Sequence, residues 1–124
     1  MGEDVPVLRD EHQQQPVPTE WRQTLKALVD GFALGTTLRV PRVKPITPAC
    51  AQAALDNVAS YGATLVCLPE ECWRTSVCQW MWSYWDVLVD LYTAEEGPSD
   101  LVLAVRVFER GSDFEFEFES IHVP

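Results

Sequence analysis

Two runs of alternating apolar and polar residues flank a single glycine near the C-terminus, and they fit each other in one register. Leu101, Leu103, Val105 and Val107 alternate before Gly111-Ser112, and Phe114, Phe116 and Phe118 alternate with Asp113, Glu115, Glu117 and Glu119 after it. A two-residue hairpin turn with glycine at its first central position makes Arg110 face Asp113 and Arg106 face Glu117. The same turn sets Val107 against Phe116 and Val105 against Phe118. Apolar partners then share one face and charges the other, and a slip of one residue destroys both matches. Upstream, Trp85, Val87, Val89 and Leu91 alternate with Asp86, Leu88, Asp90 and Tyr92. An odd-length loop over Glu95–Ser99 places Leu91 by Leu103 and Val89 by Val105. The C-terminal third therefore reads as a three-stranded antiparallel meander with one apolar face to be covered.

The cover comes from upstream. Thr19 offers an N-cap, and Trp21, Leu25, Leu28, Val29 and Phe32 recur at helical spacing until Gly35. A short extended piece over 36–40, carrying Leu38 and Val40, follows, and prolines keep Pro41–Pro48 irregular. Thr47-Pro48 starts a second helix, lined by Cys50, Ala51, Ala54, Leu55, Val58 and Tyr61 and stopped by Gly62. Ala63–Leu68 is expected to be a buried strand. Residues 70–83, with Trp73, Val77, Trp80, Met81 and Tyr84, fit either period, and a strand from about 75 is favoured. Residues 1–18 read as a flexible or loosely docked lead segment. Residues 19–124 form one α+β domain, two N-terminal helices packed on a curved antiparallel sheet.

A chain of 124 residues, 47% of them hydrophobic, suits one globular domain with one core. No apolar run reaches the roughly 18 residues that span a bilayer. The N-terminus, with acids at positions 3 and 4 and no apolar stretch, reads as neither a secretory signal nor a mitochondrial-type leader, and Pro6 stands where myristoylation wants Ser or Thr. A cytosolic protein is expected. Cys50, Cys67, Cys72 and Cys78 are separated by 16, 4 and 5 residues, which is no metal-ligand spacing, so they are expected to be buried free thiols.

Charge is the functional clue. Residues 1–69 hold seven acids and six bases, whereas residues 70–124 hold twelve acids and three bases. Such a field repels nucleic acid and anionic membranes and attracts basic proteins. The outer face of the meander carries Asp86, Asp90, Glu115, Glu117 and Glu119, and its loop carries Glu95 and Glu96. Asp86 and Asp90 stand about 13 Å apart along a strand, too far to work as an acid–base pair. Four tryptophans, Trp73, Trp80, Trp82 and Trp85, fall within thirteen positions, and Trp80 and Trp82 are the least easily buried together. Those seven acids with Trp80 and Trp82 make the candidate partner-binding set. His12 and His122 are far apart in the sequence, no glycine-rich phosphate loop occurs, and the inward positions of the meander are all apolar. No catalytic residue, metal site or cofactor is expected.

The stretch Trp85-Asp-Val-Leu-Val-Asp-Leu-Tyr-Thr-Ala-Glu-Glu-Gly-Pro-Ser-Asp-Leu resembles an uncharacterised family of small bacterial proteins with the signature W-x-V-x-V-D-L-W-T-x-E-E-G-x-S-D-L. Members end in a His-Val segment, as His122-Val123 does here; Tyr92 and Pro98 depart from the pattern. The resemblance covers roughly residues 84–124 and implies a fold without an activity. Two helices before a curved meander also look like the cystatin-like, NTF2-like cone, a class holding both enzymes and non-enzymes. The expected function is that of a non-catalytic immunity protein, which neutralises a toxin by masking its basic surface. The alternatives are an NTF2-like small-molecule-binding or isomerase-type pocket protein, and an oligomeric module, a homodimer for example, using its Trp surface as self-interface.

Overall fold

The computed structural model of the chain describes residues 4–35 and 39–124. The extended piece expected around Leu38 lies, for residues 36–38, outside the described residues. Helices α1 (Thr19–Leu34) and α2 (Pro48–Tyr61) precede a five-stranded antiparallel sheet with strands in sequence order. The strands are β1 (Gln15–Pro16), β2 (Val77–Trp80), β3 (Trp85–Thr93), β4 (Gly97–Arg110) and β5 (Asp113–His122). The fold is α+β, with the C-terminal meander the sequence specifies.

Helix α1 buries Trp21, Leu25, Leu28, Val29 and Phe32, the stripe read from the sequence. Its start differs from expectation. Pro18 occupies the cap position, and Thr19 belongs to the first turn, where its hydroxyl accepts the Val5 N–H at 2.7 Å. Helix α2 is capped as expected, with the Thr47 hydroxyl accepting the Cys50 N–H at 3.2 Å. Its buried stripe is narrower than expected: Ala54 and Val58 are buried, while Leu55 and Cys50 face solvent. Asn57 fastens α2 to the last strand by donating to the Ile121 carbonyl at 2.8 Å.

The β4–β5 register is the one derived from the glycine turn. Arg110 pairs with Asp113, Arg106 with Glu117, Val107 with Phe116 and Val105 with Phe118. Gly111 has a φ of 62°, the left-handed conformation this turn position demands. The β3–β4 register is shifted by two residues from expectation: Val89, not Leu91, pairs with Leu103, and Val87, not Val89, with Val105. The turn is tighter, closing at Thr93 and Gly97, and a bulge near Leu91 takes up extra β4 residues. Ser99 holds that bulge by donating to the Leu91 carbonyl at 2.7 Å and accepting the Leu101 N–H at 3.2 Å. A shift of two preserves the faces, so Val87, Val89, Leu91, Leu101, Leu103, Val105 and Val107 are all still buried.

Two expectations for the middle of the chain change. Ala63–Leu68 buries Leu65 and Leu68 but makes a single bridge, Leu65 to Thr93, rather than a strand. Residues Glu70–Arg74 form a short 3₁₀ helix before β2 begins at Val77. Of the cysteines, Cys72 and Cys78 are buried, whereas Cys50 and Cys67 are exposed. Burial holds the Cys72 thiol up to about 12 and the Cys78 thiol up to about 11.

Residues 4–18 lie against the domain. Val17 is fully buried, β1 pairs with β2, and the Trp85 indole donates to the Leu8 carbonyl at 2.9 Å. An aromatic cluster fills this end of the core: Trp21 sits edge-on to Trp85 at 5.3 Å and to Phe114 at 5.4 Å. The buried Trp21 indole N–H finds no hydrogen-bond acceptor among the described residues.

Candidate protein-docking surface

Side chains alternate across a sheet, so the helices cover one face and the charged positions share the other. On that outer face the structure brings together Asp86, Glu115, Glu117 and Glu119 with Arg106, Arg110 and Lys44. Arg106 lies 3.2 Å from Glu119 and 3.9 Å from Asp86. Arg110 lies 3.3 Å from Glu115, and Lys44 lies 2.9 Å from Glu117 and 3.8 Å from Glu115. Asp90 shares the face and carries no ion pair among the described residues.

Lys44 was not legible as part of this face. It arrives because Arg42–Lys44 runs along the edge of β5, with a parallel bridge from Val43 to Phe116. The Lys44 N–H donates to the Phe116 carbonyl, and the Phe116 N–H to the Arg42 carbonyl, both at 2.8 Å. The one sequence signal was the apolar Val43 between two cations in an otherwise proline-broken stretch. The same three outer-face cations also cover an aromatic pair. Tyr84 and Phe108 sit 5.5 Å apart, with Arg106 4.9 Å from the Tyr84 ring centre, and Lys44 and Arg110 5.0 and 5.1 Å from that of Phe108.

The Glu117 carboxyl is held below the usual range, first by its bond from Lys44. Glu119 is pushed up by burial and by the neighbouring carboxylates of Glu117 and Asp86, against the pull of Arg106. It is also the residue at which the β4–β5 register shifts, because Phe118 pairs with Val105 but Ser120 with Ala104.

Glu95 and Glu96 sit in the turn beyond Thr93, the far end of β3, which lies eight residues and thus roughly 26 Å from Trp85. They are tied into the fold. Glu95 accepts from the Thr64 N–H at 2.8 Å and the Thr64 hydroxyl at 3.0 Å, which lowers its carboxyl. Glu96 accepts from the Tyr61 hydroxyl at 2.5 Å.

The two candidate tryptophans separate. Trp80 is half-buried on the helix side of the sheet, 4.4 Å from Trp85. Trp82 is 74% exposed at the tip of the β2–β3 hairpin, beside Met81 at 40%. The Met81 N–H closes this two-residue turn onto the Tyr84 carbonyl at 2.7 Å. Trp82 has a φ of 73°, a left-handed conformation that a bulky side chain adopts only under strain.

The His122 Nδ1 lies 2.7 Å from the Ser120 hydroxyl. Among the described residues no carboxylate bonds its other nitrogen.

The fold and this surface define a small α+β domain with an open, charge-laced sheet face and a protruding aromatic hairpin. Residues 26–124 match the family described as "Domain of unknown function (DUF7668)", and the chain belongs to that family. Membership thus extends well beyond the C-terminal signature, through α2 and most of α1. No curated protein and no solved structure matches the chain. No helix among the described residues is long and apolar enough to cross a membrane.

Proposed function

We propose that this chain is a non-catalytic binding protein of the immunity type, acting in the cytosol by docking onto a basic toxin domain. The observation that carries the reading is Trp82, which is 74% exposed at a strained hairpin tip. A large aromatic held in solvent at a conformational cost is what an interface anchor requires before its partner arrives. Electrostatics add the second support. The C-terminal half carries a net charge of −9 (twelve acids, three bases), which steers a cationic partner towards the sheet. Asp90, without an ion pair among the described residues, and Glu119, whose carboxyl is raised by burial and by its acidic neighbours, are outer-face groups that a partner's cation would favour.

The test is affinity capture from the native host's lysate with wild-type and Trp82→Ala baits, eluted over a salt gradient. One basic protein in stoichiometric amount is expected on the wild-type bait and at least tenfold less on the variant. That protein should be toxic when expressed alone and harmless when this chain is co-expressed. Recovery of the bait alone removes the immunity reading.

A further inference from the structure

Of the described part of the lead segment, residues 4–18, Val17 is buried in the core, and residues 4–16 before it are held mainly through their backbone. The Trp85 indole donates to the Leu8 carbonyl and the Gln79 amide to the Glu11 carbonyl, both at 2.9 Å. The Cys78 thiol reaches the Pro16 carbonyl at 3.6 Å, and Gln15 and Pro16 pair with Cys78 and Val77. Apolar side chains contribute little, since Leu8 is 45% exposed and Val5 and Val7 only half-buried. One side chain is read specifically. The Arg9 guanidinium lies 5.6 Å from the Trp80 ring centre and 5.5 Å from that of Trp85, and pairs with Glu109.

The fit is incomplete. Strand β2 has four residues, and the segment pairs with two of them. In this antiparallel register Gln14 and Gln13 would stand opposite Gln79 and Trp80 but make no ladder with them, so the edge at Gln79 and Trp80 has no strand partner among the described residues. Gln79, Trp80, Trp85 and Glu109 all lie within the family-matched residues 26–124, and the segment lies outside them.

We propose that the edge of β2 with Trp80, Trp85 and Glu109 is a recognition groove for an extended, arginine-bearing segment of the partner protein, which residues 4–16 occupy until the partner displaces them. Trp80 and Trp85 would flank the incoming guanidinium, Glu109 would neutralise it, and a segment that stays extended opposite Gln79 and Trp80 would pair along all four residues of β2. The proposal rests on the reading above in that the partner is basic. The tethered segment competes through its high local concentration, which makes the exchange selective for a partner that binds better.

The experiment uses the full chain, as wild type and Arg9→Ala, with a fluorescein-labelled synthetic peptide of residues 4–16 in an anisotropy titration. The Arg9→Ala protein, whose own segment competes poorly, should bind the peptide at least tenfold more tightly than wild type. Replacing the peptide's arginine by alanine should lose at least tenfold. Equal binding to both proteins, or none to a folded Arg9→Ala protein, overturns the groove. Hydrogen exchange on the wild-type chain keeps the test open should that variant not fold. Amides of residues 4–16 should exchange at least a hundredfold faster than those of β3 and β4, and exchange at the core rate overturns the proposal. Neither measurement needs a toxin, so peptide binding alongside an empty lysate capture retains the groove and removes the immunity reading. A captured partner indifferent to excess peptide does the reverse.

Discussion

At residue scale, Trp82 separates stability from function. Its φ of 73° suits glycine, which is favoured at the first central position of such a hairpin turn. Relief of roughly 1–2 kcal/mol of strain is offset by up to about 1 kcal/mol of extra chain entropy in the unfolded state. Trp82→Gly is therefore expected to stabilise the fold by about 0.5 kcal/mol, read as a higher urea midpoint, while abolishing capture of the partner. Trp82→Ala keeps the backbone strain, so its midpoint should not move although capture is lost. The cysteines divide just as cleanly. Cys72 and Cys78, buried and held up to about 12 and 11, stay as thiols at pH 8, whereas Cys50 and Cys67 are exposed. A thiol-specific chromogenic reagent should titrate two groups in the native protein and four in denaturant, Cys67 lagging because its bond with Asp30 raises it. Composition marked the tryptophans as unusual without sorting them, and the expectation that all four cysteines are buried fails for Cys50 and Cys67. Exposure at Trp80 and Trp82 depends on Trp80 lying in strand β2 and Trp82 in the two-residue turn after it, and periodicity does not carry that information.

At the scale of elements, two threonines that look alike in the sequence do different work. Thr47 caps α2, so Thr47→Ala should cost about 1 kcal/mol. Thr19 holds the Val5 N–H instead, so Thr19→Ala should leave the urea midpoint nearly unchanged while accelerating amide exchange at Val5. Equal costs for the two would contradict these assignments. The strands teach a related lesson. The β4–β5 register was legible because Gly111 fixes the turn and opposed charges and phenylalanines confirm it. The β3–β4 register was not, because Ser99 stabilises a bulge that absorbs residues otherwise assigned to the loop. Period-two alternation assigns faces and is blind to a shift of two residues. Leu65 misled in another way, since its burial comes from packing and one bridge rather than from a ladder.

At the scale of the whole molecule, charge acts with opposite signs on pH response, folding and association. Glu117 is lowered by Lys44, so its contribution is present above the unfolded value of about 4.3 and lost as pH falls through the folded one. Glu119 is raised, so its contribution is present in acid and lost as pH rises through its folded value. Glu117→Gln should thus cost about 0.5 kcal/mol at pH 7 and nothing at pH 3, discounted for solvent screening. Glu119→Gln should be neutral or slightly stabilising at pH 7. Urea unfolding at the two pH values decides, and an equal cost for Glu117→Gln at both would refute the Lys44 assignment.

The net charge of −10 gives the last contrast. Like charges crowded into the C-terminal half repel one another in the folded state, and salt screens them within about 10 Å at 0.1 M. Raising sodium chloride from 0.05 to 0.5 M should therefore raise the melting temperature. The same screening should weaken capture of a basic partner, chiefly through a slower on-rate. Binding of the peptide of residues 4–16 should fall much less, because it rests on backbone hydrogen bonds, ring contacts and one ion pair. Partner association as insensitive to salt as peptide binding would place recognition in the groove at β2 and leave the acidic sheet face with a solubilising role alone. Association that falls steeply while peptide binding holds would assign steering to the sheet face and grip to the groove and Trp82.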